Sequence, residues 1–136
     1  MINDHLKVGI VIPTRNRADL LIRQLRYYGA LDSPHTVYIG DSSDPEEAGQ
    51  ITQEIQKLKN KIQVVYEFLP DLTGARGITA AAKHLLAMVK EKYVCFAGDD
   101  DYQIPRTLTV CAEFLANHPD YAAASGRAVS FRIRQH

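Results

Sequence analysis

Three consecutive carboxylates, Asp99, Asp100 and Asp101, follow the apolar run Tyr93-Val94-Cys95-Phe96-Ala97-Gly98 in a chain of 136 residues. Side by side, such acids raise one another's pKa, and their ionised forms are favoured only beside a metal or another cation. Oxygen ligands of this kind suit Mg2+ or Mn2+ held by few protein groups, with coordination positions left for phosphate oxygens. Two further polar segments also close apolar runs, Pro13-Thr14-Arg15-Asn16-Arg17 and Gly40-Asp41-Ser42-Ser43. In these and nearby, Arg15, Arg17 and Arg76 are candidates to meet a phosphate, and Asp41 is a candidate acceptor for a base or ribose. The set matches the parts of a nucleotide diphosphate with its metal.

Residues so far apart must be brought together by the fold. Val8 to Ile12 is a short run rich in β-branched residues and ends at Pro13, which reads as a fully buried strand. Ala18, Leu21, Ile22, Leu25 and Tyr28 then recur at helical spacing, with Arg17, Arg23, Gln24 and Arg26 assigned to the opposite, solvated side and Asn16 to the cap. Arg23 and Arg26 are expected to bind nothing. Thr36 to Ile39 predicts a second strand. Asp44-Pro45-Glu46-Glu47 follows it, supplying a capping residue, a proline in the first turn and acids that complement the helix dipole.

Ile51, Ile55 and Leu58 mark the face of that second helix. Ile62 to Phe68 is a third strand, and Ile78, Ala81, Ala82, Leu85 and Met88 outline a third helix. The run ending at Gly98 is a fourth strand, Pro105 starts a fourth helix through Leu108, Cys111, Ala112 and Leu115, and Tyr121 to Val129 is expected as a fifth strand. This alternation predicts an α/β fold, an open and mostly parallel sheet with helices on both faces. In such sheets ligands bind outside the carboxyl ends of the strands, where the strand order reverses. All three polar segments fall at that edge.

Length and composition narrow the possibilities. One core fits within residues 1–136, so a single domain is expected. Sixteen Lys and Arg balance sixteen Asp and Glu, which removes any global field for nucleic acid. Cys95 and Cys111 lack CxxC or histidine partners at zinc spacing and are expected as buried thiols. No segment approaches the roughly 20 apolar residues of a membrane span. The amino terminus lacks a signal-peptide core, so a cytoplasmic location is the default expectation. His84 and His118 have no partners at metal spacing and are given no chemistry.

Val11-Ile12-Pro13-Thr14-Arg15-Asn16-Arg17, Asp41-Ser42-Ser43-Asp44 and Phe96-Ala97-Gly98-Asp99-Asp100-Asp101 through Pro105 stand in the order found in the family 2 glycosyltransferases with the A-type fold, which this chain resembles from Lys7 to about Val129. The resemblance implies a nucleotide-diphosphate sugar donor and an acceptor glycan or other hydroxyl compound. It implies that Pro13, Thr14 and Asn16 lie against the nucleotide with Arg17 close by, that Asp41 meets the base and that Asp99 faces the ribose. Asp100 aligns with the last aspartate of the DxD motif and is the first choice for a ligand of Mn2+ or Mg2+. Asp101 is the second metal candidate, besides its role as a turn former.

Two positions depart from the family pattern. Gly98 stands where the first aspartate of DxD usually lies, and Ala81-Ala82-Lys83 replaces Ala-Arg-Asn, which leaves open whether Arg76, Lys83 or neither contacts the diphosphate. The family's general base lies in a carboxyl-terminal half, and no residue here fills that role. The chain is therefore expected to be an amino-terminal part, cut before the acceptor-binding region, inactive alone and exposing an apolar face through which it self-associates. Alternatives are a module that binds a nucleotide sugar without transferring it, and a phospho-acceptor signalling domain. The latter needs acids after the first strand, where this chain has Pro-Thr-Arg-Asn. A sugar-nucleotidyltransferase would need a glycine-rich loop there.

Overall fold

A computed structural model describes residues 2–132. After a single 3-10 turn, Asp4–Leu6, the elements run β1 (Val8–Thr14), α1 (Ala18–Ala30), β2 (Thr36–Asp41), α2 (Pro45–Lys57), β3 (Val64–Phe68), α3 (Gly77–Leu86), β4 (Tyr93–Phe96) and α4 (Pro105–Asn117). The strands form one parallel sheet in the order β3-β2-β1-β4. The chain winds outward from β1 to β3, and α3 then carries it back to the other side of β1. The strand order thus reverses between β1 and β4, and the carboxyl ends of these two strands flank the switch point.

Burial follows from position in the sheet. β1 and β2 are central and almost wholly buried, which explains their unbroken apolar runs. Ile10 and Ile12 face a core built with Val37, Ile39, Leu21, Leu25 and Tyr28 of α1, Ile51 of α2, and Leu108 and Ala112 of α4. Val11 and Tyr38 point the opposite way, against Leu85 of α3. Helices α1, α2 and α4 therefore cover one face and α3 the other. On the α3 face β4 is poorly covered, and Val94 and Phe96 are exposed.

Several expectations change at this level. Tyr121 to Val129 adds no strand: it runs irregular and largely exposed, with Tyr121 against Phe114. Its apolar residues lack the cross-strand partners that hold such a segment in a sheet. Arg26 is not idle, because its Nε and one terminal nitrogen donate to both Glu54 carboxylate oxygens at 2.8 and 3.0 Å and tie α1 to α2. That guanidinium holds the Glu54 carboxyl below its usual range. Gln24 leaves the solvated side assigned to it and is completely buried. Cys95 and Cys111 are only partly buried, although burial pushes the Cys95 thiol up to about 11.

His35, fully buried, ties the amino end of the sheet to α4. Val8 N–H donates to its Nδ1 at 3.0 Å, so the ring proton sits on Nε2, which donates to the Pro105 carbonyl at 2.9 Å. Pro105 opens the helix that follows the acidic loop.

Candidate functional site

The site is built where β1 and β4 end. Thr14, the last residue of β1, is buried and donates through its hydroxyl to Asp99 Oδ2 at 2.8 Å. Arg17, just before α1, reaches the same loop with both terminal nitrogens, 2.8 Å from Asp99 Oδ1 and 3.0 Å from Asp100 Oδ2. The cation required by the acid cluster is thus met from within the chain by one guanidinium. Its bond to Asp100, followed by the charge of Asp99, raises the Arg17 pKa further. Burial pushes the Asp99 carboxyl up, Asp100 adds to the push, and Thr14 and Arg17 oppose it.

Asp100 and Asp101 are exposed, on either side of the space above Gly98. A Cβ built on Gly98 would lie 3.0 Å from Asp100 Oδ1 and 3.0 Å from Asp101 Oδ2. The space left by the missing side chain is therefore flanked by two carboxylate oxygens. These are hard ligands of the kind Mg2+ and Mn2+ take, and they fit an ion completed by oxygens of a bound diphosphate. Among the described residues no three His, Cys, Asp or Glu side chains gather into a set that would hold an ion unaided.

The β1 loop has a different geometry from a simple helix cap. Asn16 adopts φ +50°, a left-handed conformation that asparagine tolerates better than most residues. Its side chain does not cap α1. It accepts from Asp44 N at 2.8 Å and donates to Asp44 Oδ2 at 3.1 Å, while Asn16 N–H donates to Ser43 Oγ at 2.7 Å. Asp44 is therefore also diverted from capping its own helix. The open end of α1 is served instead by Glu47 of α2, which accepts from Ala18 N at 2.9 Å. These bonds lock the β1 and β2 loops together, and Arg17 is held at the amino end of α1 facing the acids.

Asp41 is completely buried, with Oδ2 accepting from the Tyr66 hydroxyl at 2.7 Å and Oδ1 from Ser43 N at 2.9 Å. Burial and the neighbouring Asp41 push the Tyr66 phenol up, so it remains a donor. Asp41 thus stands behind the wall of the site, whereas its neighbour Ser42 lines the cleft. That cleft, of about 280 Å³, is bounded by Pro13, Thr14, Arg15, Arg17, Asp99 and Asp100 on one side and by Gly74, Gly77 and Ile78 on the other. A larger, mainly apolar groove of about 510 Å³ adjoins it over Phe96, Ala82, Lys83 and Leu86, sharing Pro13, Ile78 and Gly98.

Of the sequence candidates, Pro13, Thr14, Arg15, Arg17, Asp99 and Asp100 meet at one cleft, with Asp101 beside it. Arg76 does not line the cleft; it is exposed at the amino end of α3. Lys83 lines the adjoining groove. Sequence reasoning missed Gln24, whose amide reaches the backbone of the acidic loop, and Tyr66 and His35. One signal for Gln24 was present: positions 21, 24, 25 and 28 share a helical stripe, with Gln24 as its only polar member.

The family described as "Glycosyl transferase family 2" matches residues 9–135. Among solved structures, the chain is similar to the one described as "Crystal structure of S. aureus TarS", with a TM-score of 0.62 and 22% identity. The match covers 91% of this chain and 23% of that one, so the chain spans about a quarter of the length of TarS. A search of curated proteins returns no match.

Proposed function

The chain belongs to glycosyl transferase family 2, and we propose that the cleft at the ends of β1 and β4 binds the nucleotide-diphosphate part of a sugar donor together with Mg2+ or Mn2+. The observation that supports this most is the linkage across the switch point, in which Thr14 and Arg17 hold Asp99 and Asp100. Asp100 would hold the metal, with Asp101 second. The ion would offset charge on the diphosphate and make it a better leaving group. Arg17 orients Asp100 by holding Oδ2, which leaves Oδ1 towards the space above Gly98. Arg15, on the rim, supplies further positive charge for phosphate.

Asp99 is fixed on both oxygens and presents its remaining lone pairs to ribose hydroxyls. Pro13 and Thr14 border the nucleotide, and Asn16 reaches it only by releasing Asp44. Asp41 belongs at the base end, where direct contact requires Tyr66 to give up its hydrogen bond. Arg76 reaches the diphosphate only by swinging in from the start of α3. The reaction served is displacement of the nucleotide diphosphate by a hydroxyl of a glycan or other acceptor, with inversion at the anomeric carbon. Deprotonation of that hydroxyl is assigned to no residue between 2 and 132.

Calorimetry with UDP, GDP, CDP and dTDP, each with and without Mn2+, tests the reading on wild type and Asp100→Ala. One nucleotide should bind with Mn2+, and the substitution should weaken it by at least about tenfold, the scale of losing one charge-assisted contact. Binding that ignores both the metal and the substitution would overturn it.

A further inference from the structure

Beneath the acidic loop lies a polar side chain that packing alone does not require. Gln24 occupies the buried stripe of α1 between Leu21 and Tyr28, with no solvent exposure. Its Nε2 donates to the Gly98 carbonyl at 3.1 Å and to the Asp101 carbonyl. It also lies 3.4 Å from the Tyr28 hydroxyl. That hydroxyl in turn accepts from Gln103 N–H at 3.1 Å. One pair of neighbouring turns of α1 therefore holds the loop at Gly98, Asp101 and Gln103, on either side of Asp99 and Asp100.

The other half of the amide is left over. Gln24 Oε1 is buried and has no hydrogen-bond partner among the described residues. An orphaned acceptor in an apolar core destabilises the fold, and a hydrocarbon side chain in its place would remove that cost. A polar residue kept on such a stripe is explained by what its donor end does. We propose that Gln24 is a positioning residue: through the Gly98 and Asp101 carbonyls, assisted by Tyr28 at Gln103, it sets the conformation in which the acidic loop presents Asp100 and Asp101. The inference rests on the proposed metal and nucleotide binding for its consequence, but not for the clamp itself.

The two can be tested separately on the same protein. Amide hydrogen exchange reads the clamp without any ligand. In Gln24→Met, exchange of the hydrogen-bonded amides of Asp101 and Gln103 should accelerate by about tenfold, on the scale of one or two lost hydrogen bonds, while β1 and β2 keep their protection. Calorimetry with Mn2+ and the nucleotide bound by wild type should show a similar loss of affinity, with a melting temperature close to that of wild type. Gln24→Glu keeps the shape. It offers at most one donor where the amide has two, so its affinity should fall short of wild type as that of Gln24→Met does.

Unchanged exchange at Asp101 and Gln103 in Gln24→Met overturns the clamp. Accelerated exchange with wild-type affinity overturns its role in presenting the acids. If wild type binds none of the nucleotides, the functional reading fails, and the exchange result alone decides whether Gln24 holds the loop.

Discussion

Asp99 is the most constrained of the three acids, buried and held on both oxygens from the end of β1. Thr14→Val keeps the shape of the donor but removes its hydroxyl, leaving a buried carboxylate oxygen with one partner fewer. The expected loss is about 1–3 kcal/mol in urea denaturation. His35 gives a pH test. Burial lowers its pKa below the ordinary 6.5, with the nearby charge of Lys7 pushing the same way and the Pro105 carbonyl opposing. Below about pH 6.5 the unfolded chain takes up a proton that the folded chain resists, so stability from this group is full at pH 7 and falls as the solution is acidified. In His35→Leu the urea midpoint should be lower at pH 7, because Val8 N–H loses its acceptor, and its change between pH 7 and 5 should be shallower. Thr14 and Asp99 were legible as site residues, whereas the bonds that hold them and His35 were not. The aspartates announced themselves by charge density, but the bonds by which Gln24 reaches the Gly98 carbonyl and His35 the Pro105 carbonyl span 70 or more residues, which no local pattern records.

At the level of elements, periodicity located every strand and helix that carries the site. The first proline of α2 and the breaks at Gly29 and Gly98 gave their limits to within a few residues. Caps were harder to read, because Asn16 and Asp44 satisfy each other and Glu47 reaches over from a different helix. A capping residue read along one helix is unreliable where two helix starts lie side by side. The start of α3 shows the same dependence on tertiary context. Gly77 is buried, and a Cβ there would come within 2.6 Å of the Leu72 carbonyl oxygen, a backbone atom that cannot turn aside. Gly77→Ala should therefore push α3 away from the preceding loop, despite the better helix propensity of alanine. A loss of about 1–3 kcal/mol is expected by the overpacking argument, measured as a lower urea midpoint.

For the whole molecule, the parallel order β3-β2-β1-β4 puts the polar ends of β1 and β4 next to each other, as alternating strands and helices implied. Tyr121–Val129 follows the fourth helix where the alternation of elements calls for a strand, but its four alanines and Gly126 are poor strand formers, and order of elements does not supply a neighbour. No described helix is long and apolar enough to cross a membrane. The position of the seam has a kinetic consequence. Thr14 and Ser42 are 28 residues apart in the chain, whereas Thr14 and Asp99 are 85 apart. Closing the longer loop costs about 1 kcal/mol more by the logarithmic rule, and β4 offsets it with a ladder of only four register pairs, against six between β1 and β2. The pairing of β1 with β2 and β3 should then form early and the β1–β4 seam late, so that Thr14→Val mainly speeds unfolding and leaves the refolding rate nearly unchanged. On that order the cleft assembles last, and a ligand that bridges it would act as a brake on unfolding.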